Sequence, residues 1–188
     1  MEIINCYTFL GSIITRDCYD YKEINRRHSI GRMVMTKLEK IMTDQDVKKA
    51  TKINIAETVI FPAVTYGRES WTVRKKEWKK IDAFELWTWR KILRVPWTEK
   101  RTNFSVLEEV KPKRSLEAAI LRLKLRYFGH VMRAEGSLER DITRGRVAGY
   151  RRREKPRVRW LDSIKDTDRL IKETTGPTVG CFIRSSAR

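Results

Sequence analysis

The stretch SLEAAILRLKLRYFGHVMR, Ser115 to Arg133, sets Ala118, Leu121, Leu125, Phe128 and Met132 at the spacing of one helical face. Arg122, Arg126, His130 and Arg133 recur at intervals of four, four and three, which places a cationic row on a neighbouring face. The helix is expected to begin after Pro112, at Ser115. The apolar face is expected to pack and the cationic row to meet solvent. His130 has no Ser, Cys or acid beside it to form a catalytic pair, so it is read as part of the basic face.

The same period extends toward the N-terminus. Ile24, Gly31, Met35, Leu38 and Met42 predict a helix over about residues 20–42. Thr43 and Asp44 are candidate caps for a second helix, with Val47, Ala50, Ile53, Glu57, Ile60 and Val64 on its stripe, a bend at Pro62 and an end at Gly67. Thr72 is the expected cap of a third, running through Trp78, Ile81, Phe84, Trp87, Ile92 and Leu93 to Pro96. Trp87 and Trp89 cannot share one face, so the main stripe need bury only one of them. Ahead of these helices, YTFLGSIITRDCYD carries β-branched and aromatic residues around Gly11 and reads as a short strand or hairpin. The fold class is therefore mainly α, with a small N-terminal β-hairpin.

Of 188 residues, 40% are hydrophobic, enough for a core, while 42 Lys and Arg against 24 Asp and Glu give a formal charge of +18. Folding does not require that excess, and self-repulsion opposes it; a polyanionic partner is implied. The sequence has no long apolar run, signal-peptide core or lipidation signature, which favours nucleic acid over a membrane and an intracellular setting, nuclear or cytoplasmic. Cys6, Cys18 and Cys181 are scattered and odd in number, which disfavours a disulfide framework. They and the two histidines lack zinc spacing, so no metal or cofactor is expected.

Three basic regions are candidate phosphate contacts. The first is Arg74, Lys75, Lys76, Lys79 and Lys80; the second is Lys111, Lys113, Arg114, Arg122 and Arg126. The third lies in RGRVAGYRRREKPRVRW, residues 144–160, and comprises Arg151, Arg152, Arg153, Lys155, Arg157 and Arg159. Trp160, beside the last two arginines, is the best candidate among six tryptophans for stacking on a base. The composition of the final residues, TTGPTVGCFIRSSAR, predicts a disordered tail. There is no P-loop, G-x-G-x-x-G, H-E-x-x-H or G-x-S-x-G, and no aspartate pair flanked by apolar strand residues to hold two Mg2+ ions. The chain reads as a binder without enzymatic function.

Five segments carry a resemblance: YTFLGSIITRD, KEINRR with MTKLEKIM, IFPAVTYGRESWTV, LRLKLRYFGHVMR and KPRVRWLDSI. They occur in the order seen in LINE-type (non-LTR) retrotransposon endonuclease/reverse transcriptases, and the chain resembles the C-terminal part of such a protein over about residues 7–166. The resemblance implies a palm-end, primer-grip-like hairpin at 1–19 with Phe9, Leu10 and Gly11 in the grip. It further implies thumb-like helices at 20–72, a post-thumb helical region at 73–140 and a basic arm at 141–166, with 167–188 outside the pattern. The implied task is to follow the phosphates of a primer/template-like duplex by shape, so the partner is an RNA/DNA hybrid, RNA or DNA, with a palm-containing reverse transcriptase portion as a further partner. The family's catalytic aspartates and nuclease domain are missing from this sequence. Arg68 stands where the family usually has Cys, and Cys18 where a glycine usually follows the hairpin's aspartate. A second reading is a degenerate or repurposed relic that acts through protein contacts or has no function.

Overall fold

The computed structural model describes residues 5–16, 20–144, 160–162 and 164. Strands β1 (Cys6–Phe9) and β2 (Ser12–Thr15) pair antiparallel, Tyr7 opposite Ile14 and Phe9 opposite Ser12. Leu10 and Gly11 turn the chain with φ of 45° and 73°, the pair of positive values that matches the twist of a two-residue hairpin. An isolated two-stranded hairpin is marginal in water. Here it is clamped to helix α1 (Tyr21–Lys37) by the segment KEINRR. The buried Glu23 carboxylate accepts from the Ile13 N–H at 3.0 Å and from Arg26 and Arg27 at 2.7 Å, and both arginines also donate to the Gly11 carbonyl. Burial opposes the charge on Glu23, yet its hydrogen bonds to Arg26, Arg27 and the Ile13 N–H together hold its carboxyl below the ordinary range.

Ile24, Gly31 and Met35 of α1 and Met42 of α2 (Glu39–Thr43) lie on the core as their spacing predicts, although the helix breaks at Leu38 rather than running on to 42. Neither Thr43 nor Asp44 caps the next helix. Asp44 turns back onto the Asp46 N–H at 3.0 Å, and α3 (Lys49–Ile55) begins five residues later. A π-helical turn over Ala56–Ile60 joins α3 to α4 (Phe61–Thr65). Pro62, which cannot donate to the preceding turn, lies at the start of α4. Lys52, Ala56, Ile60 and Val64, four apart, are buried with Phe61 and Thr65 beside the last two, whereas Ala50 is exposed and Ile53 and Glu57 are half-buried. Four-residue steps drift by about 40° per turn on an ideal α-helix, and the wider π turn takes up that drift. Gly67, at φ 72°, ends the segment as expected.

A 3-10 turn over Arg68–Ser70 leads to α5 (Lys75–Leu93), whose N-cap is Arg74 and not Thr72; the Thr72 N–H is already held by Asp20. Ile81, Phe84, Thr88, Trp89 and Ile92 form its buried stripe. Trp89 is the fully buried member of the Trp87/Trp89 pair, its ring edge-on to Phe61 at 5.2 Å. Complete burial of one such side chain is worth about 2 kcal/mol or more. A helix that periodicity alone did not predict, α6 (Asn103–Val110), is capped by Thr102 and buries Val106 and Val110. Ser115 caps α7 (Leu116–Arg133) through the Ala118 N–H at 3.2 Å, as its position suggested. The buried face of α7 is rotated from the expected one: Leu116, Ile120, Leu121, Lys124 and Val131 are inside, Ala118 is exposed, and Leu125, Phe128 and Met132 are half-buried. The rotation is set by the anchor at its first residue, where buried Glu85 of α5 accepts the Leu116 N–H at 2.7 Å. The short α8 (Leu138–Arg144) buries nothing.

Candidate nucleic-acid interface

Helices α1 and α5 lie side by side and parallel, as four cross-contacts in register show. Asp20 accepts the Thr72 N–H at 2.7 Å, Lys80 donates to Asn25 at 3.1 Å, His28 stacks on Phe84 at 5.0 Å, and Arg32 lies 5.6 Å over Trp87. Gly31 allows the helices to approach this closely. Along the seam runs a cleft of about 290 Å3 lined by Asp20, Tyr21, Arg74, Lys76, Glu77 and Lys80. A second recess of about 220 Å3 continues past Lys80 to Asn25, His28 and Arg32.

The structure brings part of the predicted cationic set together here. Lys76 and Lys80 line the cleft, and Arg74 stands at its rim. Lys75, Lys76 and Lys79 are exposed on the first turns of α5 and form no ion pair among the described residues. Lys113 and Arg114 are exposed just before α7, and Arg122, Arg126, His130 and Arg133 project from its outer face. The ion pairs that do form engage other cations, such as Lys49 with Glu109 at 2.6 Å and Lys91 with Glu39 at 3.0 Å. Runs of adjacent charge do not reveal Tyr21, Asn25 and Arg32. They are spread along α1, and only their four- and seven-residue spacing could have flagged them as one stripe.

Phe9, Leu10 and Gly11 sit at the hairpin turn, with Leu10 76% exposed. Trp160 is engaged within the fold rather than presented as an open stacking surface. Its indole donates to the Glu69 carbonyl at 2.7 Å, and its ring meets Tyr127 and Phe128, with Lys124 Nζ 5.8 Å away. Arg151, Arg152, Arg153, Lys155, Arg157 and Arg159 lie outside the described residues.

Beneath the cleft is a set of buried polar groups that the sequence pattern does not disclose. Arg68 is wholly buried, with its guanidinium 5.1 Å over Trp71 and Nη2 3.4 Å from His28 Nε2, while Nε and Nη1 find no acceptor among the described residues. Burial and then the nearby Arg27 charge push its pKa down to about 9. Burial, reinforced by Arg68, Arg32 and Lys80, likewise pushes His28 down to about 4, so the imidazole is neutral at neutral pH. Lys124 is wholly enclosed and falls to about 8 through burial, against the opposing pull of Asp20. A buried guanidinium that meets no carboxylate among the described residues, as at Arg68, destabilises the fold. Arg68→Met is therefore expected to raise stability by about 2 kcal/mol, or roughly 4–8 °C in melting temperature. Thermal unfolding followed by circular dichroism measures this, and a lower melting temperature would mean that the guanidinium is favourably held.

Among the described residues no cluster of His, Cys, Asp and Glu could hold a metal ion, and no helix is long and apolar enough to cross a membrane. No family model and no solved structure matches the chain. It is similar to a curated Caenorhabditis elegans protein described as uncharacterized and transposon-derived, being 24% identical over 170 residues that cover 88% of the chain. The match spans 61% of that protein's length.

Proposed function

We propose that the chain is a transposon-derived nucleic-acid-binding segment with no catalytic step of its own, corresponding to the primer-grip, thumb and post-thumb part of a LINE-type reverse transcriptase. The observation that carries this reading is the exposed cationic surface of α5 and α7, where Lys75, Lys76, Lys79, Arg122 and Arg126 are committed to no carboxylate among the described residues. Phosphates complement such a surface, because every phosphate neutralised releases condensed counterions. Contacts of this kind carry no sequence information, so binding is non-specific and follows the shape of an RNA/DNA hybrid, RNA or DNA. Similarity to a transposon-derived protein supports the origin. The arginines of the arm would extend the same surface, and a palm-containing partner would supply the catalytic aspartates.

The triple substitution Lys75→Gln, Lys76→Gln and Lys79→Gln tests the surface directly. Fluorescence anisotropy with an RNA/DNA hybrid at low salt is expected to show affinity reduced about tenfold or more, through the loss of two to three phosphate contacts, with the fold intact. Unchanged affinity would remove α5 from the interface. The apolar hairpin supports a second reading. Tyr7, Phe9, Leu10, Ile14 and Tyr66 are all more than half exposed, an arrangement suited to protein contact by a repurposed relic. Binding through that face would be nearly indifferent to salt.

A further inference from the structure

Asp20 and Glu77 do not suit a cleft that recognises phosphate alone, because carboxylates repel it. Both nevertheless line the cleft beside Lys76 and Lys80. Each has one oxygen engaged: Asp20 Oδ2 takes the Thr72 N–H at 2.7 Å, and Glu77 Oε2 takes the Arg74 N–H at 3.2 Å. Among the described residues the second oxygen of each accepts no hydrogen bond. The cleft and its continuation follow α1 from Tyr21 to Arg32, about 16 Å at 1.5 Å per residue. Lys76, Lys80 and Arg32 are distributed along that length, so the cleft offers a line of cations with hydrogen-bond acceptors at one end. A chain of phosphodiesters whose sugars carry hydroxyl donors matches both features.

We infer that the α1–α5 cleft seats an RNA strand, with Lys76, Lys80 and Arg32 facing phosphates and the unengaged oxygens of Asp20 and Glu77 accepting from ribose 2′-hydroxyls. The inference rests on the nucleic-acid reading above and adds the sugar to it. A carboxylate is an effective acceptor for a ribose hydroxyl, and the 2′-hydroxyl distinguishes RNA from DNA at a single site. Deoxyribose leaves those oxygens beside phosphate with nothing donated to them. A 2′-O-methyl group removes the donor while keeping the ribose framework.

The full chain is titrated by anisotropy with a single-stranded RNA 12-mer, the DNA of the same sequence and its 2′-O-methyl counterpart. RNA is expected to bind roughly twentyfold more tightly than either, the worth of two ordinary hydrogen bonds. Asp20→Asn retains an oxygen for the Thr72 N–H but presents an amide NH2 to the cleft, so it is expected to cut the RNA preference about fivefold, leaving the share due to Glu77, while DNA binds as well or better once a charge that repels phosphate is gone. Lys80→Ala weakens all three alike. Equal affinity of the wild-type chain for the three oligonucleotides overturns the ribose contact and leaves nucleic-acid binding standing. An Asp20→Asn variant that keeps the full RNA preference, or loses RNA and DNA binding together, overturns the role given to Asp20. Absence of binding to all three removes both readings.

Discussion

Gly31→Ala is expected to destabilise the protein by about 3 kcal/mol, lowering the melting temperature by roughly 6–12 °C. A Cβ at this position would overlap Val64 Cγ2 and lie 2.7 Å from Phe84 Cζ, and both neighbours are buried core residues with little freedom to move. In an exposed helix the same change would gain about 1 kcal/mol from helix propensity. Here overpacking wins, because α1 meets both α4 and α5 at this point. Val64→Ala opens part of the space, so the double variant should recover a substantial share of the loss, a coupling that a double-mutant cycle reads directly. Additive losses would show that Gly31 is not the contact point.

Glu85→Leu is the second large effect, at about 3 kcal/mol of lost stability. The carboxylate is buried and accepts two donors, the Leu116 N–H at 2.7 Å and the Trp89 indole at 3.2 Å. Leucine would leave both donors without a partner inside the core and would release the N-terminus of α7 from α5. Burial pushes the pKa of Glu85 up while these two hydrogen bonds pull it down. The two donors sit on different oxygens of the carboxylate, so Glu85→Gln, which keeps one acceptor oxygen and turns an NH2 toward the other donor, should lose about half as much as the leucine variant. Denaturant unfolding separates the two outcomes. Equal losses in the leucine and glutamine variants would show that the charge, rather than the acceptor, is what matters.

Features with a strong local signal were legible in the sequence. The hairpin around Gly11, the start of α7 at Ser115, Gly67 as a terminator and the Ile24–Gly31–Met35 stripe each arise from conformation or period alone. Local propensity failed where a distant group had already claimed the partner. Thr72 lies two residues before the N-cap Arg74, where Asp20 ties its N–H to the start of α1, and α7 is rotated because Glu85 holds its first residue. Lys124 looks like one more solvated cation in the row RLKLR, yet it is wholly enclosed. The cleft could not be read as a unit because its two walls are separated in sequence by residues 38–74. Its α5 cations were named from composition, whereas Tyr21, Asn25 and Arg32 on the opposing wall needed the packed pair of helices to connect them. Arg68 is the clearest local conflict, a charge enclosed without a carboxylate.

If phosphate contacts dominate binding at this surface, binding must depend steeply on salt. Affinity of the full chain for an RNA/DNA hybrid is measured by anisotropy between about 50 and 200 mM salt. Log K is expected to fall linearly with log salt at a slope of about −4 to −5, the signature of roughly five neutralised phosphates. A slope flatter than about −1 would contradict it, because at most one phosphate would then be engaged and the basic faces of α5 and α7 would not be the binding surface.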